Sequence, residues 1–296
     1  MKIIVSANSK GGVGKTTAAV LMAEGLATFY GQRVLCIDLD PQANMTTVLM
    51  AEDLRERLRK NNRTIDQYFL GAINANHATL KDYVANIDGH LSFAKIKNPG
   101  HVHAVASATR MIDTERAFIR RCADLGREPS SVRSDLLKRL KADLDALNGQ
   151  YDVVIFDTPP SMNIFTEVAL LSADYVFLPV VPEDLSTIGF REFVGRIHSN
   201  NLLSPVAKQN LVIMLSKYQK KWLSHGKTID KIKGWAAALN KEYSVRFRLL
   251  DSEITHHEAF AQASEFRGKS PTFDTKYGKA KANAKAVAKA VWSAIN

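Results

Sequence analysis

The segment Ser9-Lys10-Gly11-Gly12-Val13-Gly14-Lys15-Thr16-Thr17 follows the β-branched run Ile3-Ile4-Val5 and precedes the helix-forming stretch Ala18-Ala19-Val20-Leu21. A glycine-rich turn between a strand and a helix makes a phosphate cradle, because successive backbone N–H groups and the helix N-terminus converge on anionic oxygens. Gly11, Gly12, Val13, Gly14, Lys15, Thr16 and Thr17 are the expected cradle residues. Lys15 is placed to reach the β- and γ-phosphates of a nucleotide, and the Thr16 hydroxyl to hold Mg²⁺. The usual pattern, G-x-x-x-x-G-K-[ST], has a glycine six residues before the lysine. Here Ser9 takes that place, with a second lysine, Lys10, beside it.

Two distant segments end in carboxylates. Arg33 to Asp40 (RVLCIDLD) is an apolar strand pattern closed by Asp38 and Asp40 and stopped by Pro41-Gln42, and Tyr151 to Ser161 (YDVVIFDTPPS) is a second one ending at Asp157. In a doubly wound parallel sheet ligands gather beyond the carboxyl ends of the strands, so these acids and the glycine loop would share one site. Asp157, after four apolar residues, is expected to hold Mg²⁺ through a coordinated water. Of the pair Asp38 and Asp40, only one is expected to point as Asp157 does.

The loop K-G-G-V-G-K-T-T resembles the deviant Walker A motif of the ParA/MinD family of P-loop ATPases, and most closely the ParA-type partition proteins. The resemblance continues through D-L-D-P-Q-A-N, S-M-N-I-F-T-E-V-A-L, V-F-L-P-V-V-P, L-V-I-M-L-S and the stretch Asp251 to Asp274, which contains Gly268-Lys269-Ser270-Pro271. It is weakest over Lys217 to Ile229, where Ser216 and Lys217 replace the family's adenine contact. What it implies is an α/β P-loop fold, a single doubly wound, mostly parallel sheet flanked by helices, with ATP and Mg²⁺ as cofactors. Lys10, Lys15 and Asp40 become catalytic residues: Lys10 crosses to the nucleotide of a second subunit, and Asp40 positions the attacking water. Thr16, Asp38 and Asp157 become the magnesium partners. The implied activity is hydrolysis of ATP to ADP and phosphate by a homodimer that closes on ATP, binds nonspecific DNA and is stimulated by a centromere-binding, ParB-like adaptor, in plasmid or chromosome partition. A MinD-like membrane-positioning ATPase, a ParA-like positioner of a protein cargo and a metabolic P-loop enzyme are the competing classes.

With 296 residues, 46% hydrophobic and 24% charged, the chain can bury the core of one large α/β domain, expected over 1–296 with an insertion around 86–100. No stretch approaches the roughly 18 apolar residues of a membrane span, and the N-terminus is too short and glycine-broken for a secretory segment, so no membrane partner is expected. Cys36 and Cys122 offer neither a metal spacing nor a disulfide, which points to a reducing cytoplasm, with nucleoid association implied by the family. The pairs His101/His103 and His256-His257 lack the further ligand a zinc site wants. Strands are expected at 2–6, 33–38, 91–95, 102–107, 153–157, 175–180, 211–215 and 244–250. Helices are expected at 16–29, over 46–86 with polar breaks such as Asn61-Asn62, over 109–147 with a break near 126–131, and at 163–172, 187–200, 228–241, 256–265 and 278–294.

Forty Lys and Arg against thirty Asp and Glu give a net charge of +10. From Arg267 to Asn296 there are seven basic residues and one acidic. Lys281, Lys285 and Lys289 recur every four residues and form one ridge of the C-terminal helix, with Ala284, Val287, Val291 and Ile295 roughly opposite. They are the candidate DNA-binding residues. A second cluster, Lys217, Lys220, Lys221, Lys227, Lys231 and Lys233, surrounds Trp222 and His225. Such patches suit contacts to a phosphate backbone without base reading.

Overall fold

The computed structural model describes residues 1–74, 78–87, 89–93, 96–220, 222–263 and 270–296, so Lys221, Gly268 and Lys269 lie outside it. Its strands are β1 (Lys2–Ser6), β2 (Arg33–Asp38), β3 (Val84–Asn86), β4 (His101–Val105), β5 (Val153–Asp157), β6 (Tyr175–Val180), β7 (Leu211–Leu215) and β8 (Phe247–Leu249). They form one sheet in the order β3-β4-β2-β5-β1-β6-β7-β8. Every neighbouring pair is parallel except β3 with β4. Strands covered on both faces must be apolar on both, which is why Val153–Asp157 and Leu211–Leu215 are buried at every residue and show no alternation.

The helices are α1 (Lys15–Tyr30), α2 (Asn44–Leu49), α3 (Glu52–Lys60), α4 (Ile65–Ile73), α5 (Met111–Leu125), α6 (Pro129–Ala146), α7 (Ile164–Ser172), α8 (Asp184–Ser199), α9 (Pro205–Lys208), α10 (Leu223–Tyr243), α11 (Glu258–Gln262), α12 (Phe273–Tyr277) and α13 (Lys281–Ile295). One core lies between the sheet and α4 to α8 and α10, taking Val5, Leu35, Ile37, Val154 and Phe156 from the strands. The other takes Ile4, Cys36, Val153, Ile155 and Phe177 from the opposite face and packs them under α1, α2, α12 and α13.

Helix α1 lies between the sheet and α13 and is therefore apolar almost all round. A Cβ on Gly25 would fall 2.4 Å from that of Ala288, so the absent side chain sets how closely α1 and α13 approach. Ala284, Val287, Ala288, Val291 and Ile295 are the buried face of α13. Within the same layer Glu24 of α1 is fully buried and meets the Lys276 ammonium, His90 Nε2 and, at 2.7 Å, the Tyr277 hydroxyl. Burial alone would raise its pKa, but the charges of Lys276 and His90 bring it down to about 2.

The helical region expected over 46–86 divides into α2, α3 and α4, with the expected break at Asn61-Asn62 between α3 and α4, and closes on a 3₁₀ turn and the edge strand β3 in place of helix. The strand expected at 91–95 is absent from residues 91–93, and 94–95 lie outside the described residues. Leu91 is instead buried from a loop held by the Ser92 N–H on Pro271 O at 2.8 Å. The sheet edge is supplied earlier, where Val84–Asn86 pairs antiparallel with His103–Val105.

Candidate active site

Three central strands end in register, with Asp38 of β2 beside Asp157 of β5 and Asp157 beside Ser6 of β1. Residues two apart on a strand share a face, so these three follow Cys36, Ile155 and Ile4 toward the α1 side. Ser6 Oγ donates to Lys15 O at 3.1 Å, and Thr158 Oγ1 donates to Ser6 O at 2.9 Å. The first turn of α1 is thereby tied to the strand ends.

Gly14 leads into α1 with φ 87° and Gly12 has φ 72°, left-handed conformations that strain any residue with a Cβ. No acidic residue stands in the first turn of α1, so its N–H groups and positive dipole end remain available to an anion. Buried Asn8 accepts the Lys10 N–H at 3.0 Å and donates to Pro179 O at 2.8 Å, which pins the loop to β6. On the other side Ser9 Oγ donates to Gly189 O of α8 at 3.2 Å.

Lys15 is buried and donates from Nζ to Lys10 O at 3.1 Å. Burial lowers its pKa, and the charges of Asp157 and Asp40 oppose that. Thr16 Oγ1 donates to Asp157 Oδ2 at 2.7 Å, while Asp157 Oδ1 is buried with no hydrogen-bond partner among the described residues. Burial, then the charge of Asp38, hold the Asp157 carboxyl well above the ordinary range. Burial likewise pushes Asp38 up to about 6, against the hydrogen bonds that favour its charged form. A hydroxyl beside a desolvated carboxylate with an unused oxygen fits a small divalent cation, whose charge would let both acids ionise. Mg²⁺ takes one or two carboxylates and completes its shell with water and phosphate oxygens. Among the described residues no three His, Cys, Asp or Glu side chains form a larger cage.

The charges of both Asp38 and Asp40 bear on Asp157. Asp40 lies beyond the end of β2; its N–H donates to Asp38 Oδ1 at 3.0 Å and its Oδ1 accepts the Gln42 N–H at 2.9 Å. Asp38 Oδ2 accepts the Thr46 N–H at 2.8 Å and the Thr46 hydroxyl at 2.7 Å. Asp38 therefore anchors the start of α2, while the hydroxyl of Thr16 is engaged by Asp157.

Beside Gly14 and Thr17 opens a cavity of about 310 Å³ lined by Ser216, Lys217, Ile254, Thr255, His256, His257 and Phe260 among others. Ser216 Oγ donates to Val13 O at 2.5 Å, joining the end of β7 to the phosphate loop. The sequence gives no individual base contact at Ser216 or Lys217 and assigns no role to His256-His257. The available signal was position, a strand end and the segment before Asp274 that the fold returns to the loop.

The candidate DNA-binding lysines lie on the exposed side of α13. Lys285 pairs with Asp274 at 2.7 Å and stands 5.5 Å from the Phe29 ring centroid; Lys281 approaches the same carboxylate at 3.6 Å. Lys276, counted among the seven basic residues, is buried on Glu24.

A parallel sheet with a glycine loop at its centre, a lysine and threonine opening the next helix and an acid closing the adjacent strand define the P-loop nucleotide-binding class. Residues 1–213 match the AAA domain family, and the chain belongs to that family as a ParA-type member of the P-loop ATPases. It is 29% identical over 208 residues to a virulence plasmid ParA family protein, pGP5-D, of Chlamydia psittaci, covering 68% of this chain and 66% of the relative. The chain spans less than two thirds of the length of the first curated relatives it matches, 66% and 62%. A crystal structure of a plasmid partition protein from Borrelia burgdorferi B31, bound to AMPPNP, superposes with a TM-score of 0.65 at 19% identity, over 99% of this chain and 98% of that one. A cobyrinic acid a,c-diamide synthase from Mycobacterium smegmatis, with ADP and magnesium, superposes with a TM-score of 0.63 at 21% identity, over 90% and 93%. The two structures are alike in fold, so the fold alone does not separate partition from synthesis.

Proposed function

We propose that this protein binds ATP with Mg²⁺ in the Ser9–Thr17 loop, hydrolyses it to ADP and phosphate, and uses the cycle to position or partition a cargo on DNA. The convergence of Lys15, the Thr16–Asp157 pair and Asp40 at the ends of three central strands carries this reading. Thr16 and Asp157 would hold Mg²⁺, which would supply positive charge to the phosphate oxygens. Lys15 exchanges its bond to Lys10 O for the β- and γ-phosphates, Asp40 orients the attacking water, and the cavity beside Thr17 receives the base. Lys10, in the position of the deviant loop lysine, would reach the nucleotide of a second copy, so that ATP closes a homodimer. The exposed lysines of α13 and α10 would then meet nonspecific DNA, with a ParB-like adaptor stimulating turnover at the nucleoid. Support for partition over synthesis comes from Lys10 in the loop and from ParA-family relatives. A MinD-like use of α13 on a membrane is disfavoured because its apolar face is already packed on α1.

The test is titration of a fluorescent ATP analogue into wild type and Lys15→Ala. Loss of charge-assisted hydrogen bonds to phosphate should weaken binding at least about tenfold. Chelation of magnesium should stop turnover in the wild type. Near-native affinity in Lys15→Ala contradicts the assignment.

A further inference from the structure

A second recess, of about 180 Å³, lies between the Gln42-Ala43 turn, α3 and the segment joining β4 to α5, with Thr46, Thr47, Arg55, Arg59 and Ser107 among alanines on its walls. Two of its groups are unused. Ser107 is 3% exposed and its Oγ has no hydrogen-bond partner among the described residues. Arg55 Nε is buried in the same condition, and its Nη1 reaches only Thr47 Oγ1, at 3.4 Å. No ion pair joins Arg55 or Arg59 to a carboxylate among the described residues. A buried donor left unpaired is destabilising, so two beside one recess call for an acceptor from outside the chain.

Guanidinium groups match tetrahedral oxyanions with paired N–H donors, and two of them balance a dianion. At about 180 Å³ the recess is smaller than the cavity beside Gly14 and matches a small anion in size. A phosphodiester within a duplex carries one charge and two bulky flanks, and suits it less well. We propose that this recess binds a phosphate dianion, free or as a terminal monoester, with Arg55 and Arg59 as charge partners and Ser107 Oγ as a donor. The Ser107 N–H donates to Thr46 Oγ1 at 2.9 Å, and that hydroxyl donates to Asp38 Oδ2 at 2.7 Å. An occupant therefore bears on the carboxylate cluster through Thr46. Phosphate released by hydrolysis is its nearest source; that link rests on the proposed ATPase activity, whereas the binding does not.

The experiment is calorimetric titration of inorganic phosphate into the full chain with the P-loop filled by AMPPNP and Mg²⁺, whose binding is measured first. The expected result is one phosphate per chain, weakened at least about tenfold in the double variant Arg55→Gln, Arg59→Gln and several-fold in Ser107→Ala, with AMPPNP affinity unchanged in both. Absence of phosphate binding in the wild type, or equal binding in the variants, overturns the proposal. So does a short DNA duplex that displaces phosphate and loses affinity in the same double variant, which would make the arginines a backbone contact. If AMPPNP itself fails to bind, the ATP reading falls, and the same titration on Lys15→Ala, whose cradle is disabled, still decides the recess.

Discussion

Asp38 and Asp157 are buried side by side in adjacent strands, and each holds its proton more tightly in the fold than in the unfolded chain. Between about pH 4 and 6 the folded state thus binds more protons than the unfolded one, and stability falls as pH rises through that window. Glu24 has the opposite sign: its pKa is brought down to about 2, so its contribution is complete above about 4.5 and lost as pH falls toward 2. Thermal melts of the nucleotide-free protein should therefore show the highest Tm near about pH 4.5 and a decline toward pH 7. Mg²⁺ with ATP should remove the decline, because it favours the ionised acids, and Asp38→Asn should flatten it. A Tm that climbs steadily from pH 5 to 7 without nucleotide contradicts this view of the cluster. The meeting of Lys15, Thr16 and Asp157 at one place is legible in the sequence because a glycine spacing and an apolar run mark them. Ser107 and Arg55 are not, since a lone serine after a strand and an arginine on a basic helix have no pattern that announces a shared recess.

At the scale of elements, β1, α1, β2, β5, β6 and β7 are legible because their apolar runs are long and bounded by Gly, Pro or charge. β3 is not, because three residues on a sheet edge carry no periodicity and are fixed by pairing with β4. Charge counting also misjudges α12 and α13. Lys276 is a core residue neutralising Glu24, and the single acid of the C-terminal stretch, Asp274, faces Lys281 and Lys285. If α13 takes part in the proposed DNA contact, Lys281→Ala, Lys285→Ala and Lys289→Ala together should flatten the dependence of log K on log[salt], which slopes by about −0.9 for each phosphate met. Lys289→Ala alone should flatten it more than Lys285→Ala, whose charge is already shared with Asp274. An unchanged slope in the triple variant removes α13 and points to the cluster from Lys217 to Lys233.

At the scale of the whole molecule, ATP would join two copies in the proposed cycle. A ligand shifts an equilibrium only by its differential affinity for the two states, and an ATP that touches both subunits has that difference built in. Closure would also pair two basic surfaces and so convert weak DNA contacts into avid ones. Lys10 and Asp40 separate the two halves of the cycle: one would supply charge across the interface, the other would position water without holding the nucleotide. A charge supplied in trans is worth roughly 10³–10⁵ in rate in other P-loop enzymes. Light-scattering mass with ATP and Mg²⁺ therefore tests the central claim most directly. Asp40→Ala should form a lasting dimer that does not turn over, and Lys10→Ala should remain a monomer that still binds ATP. A Lys10→Ala protein that dimerises as fully as Asp40→Ala would contradict the account.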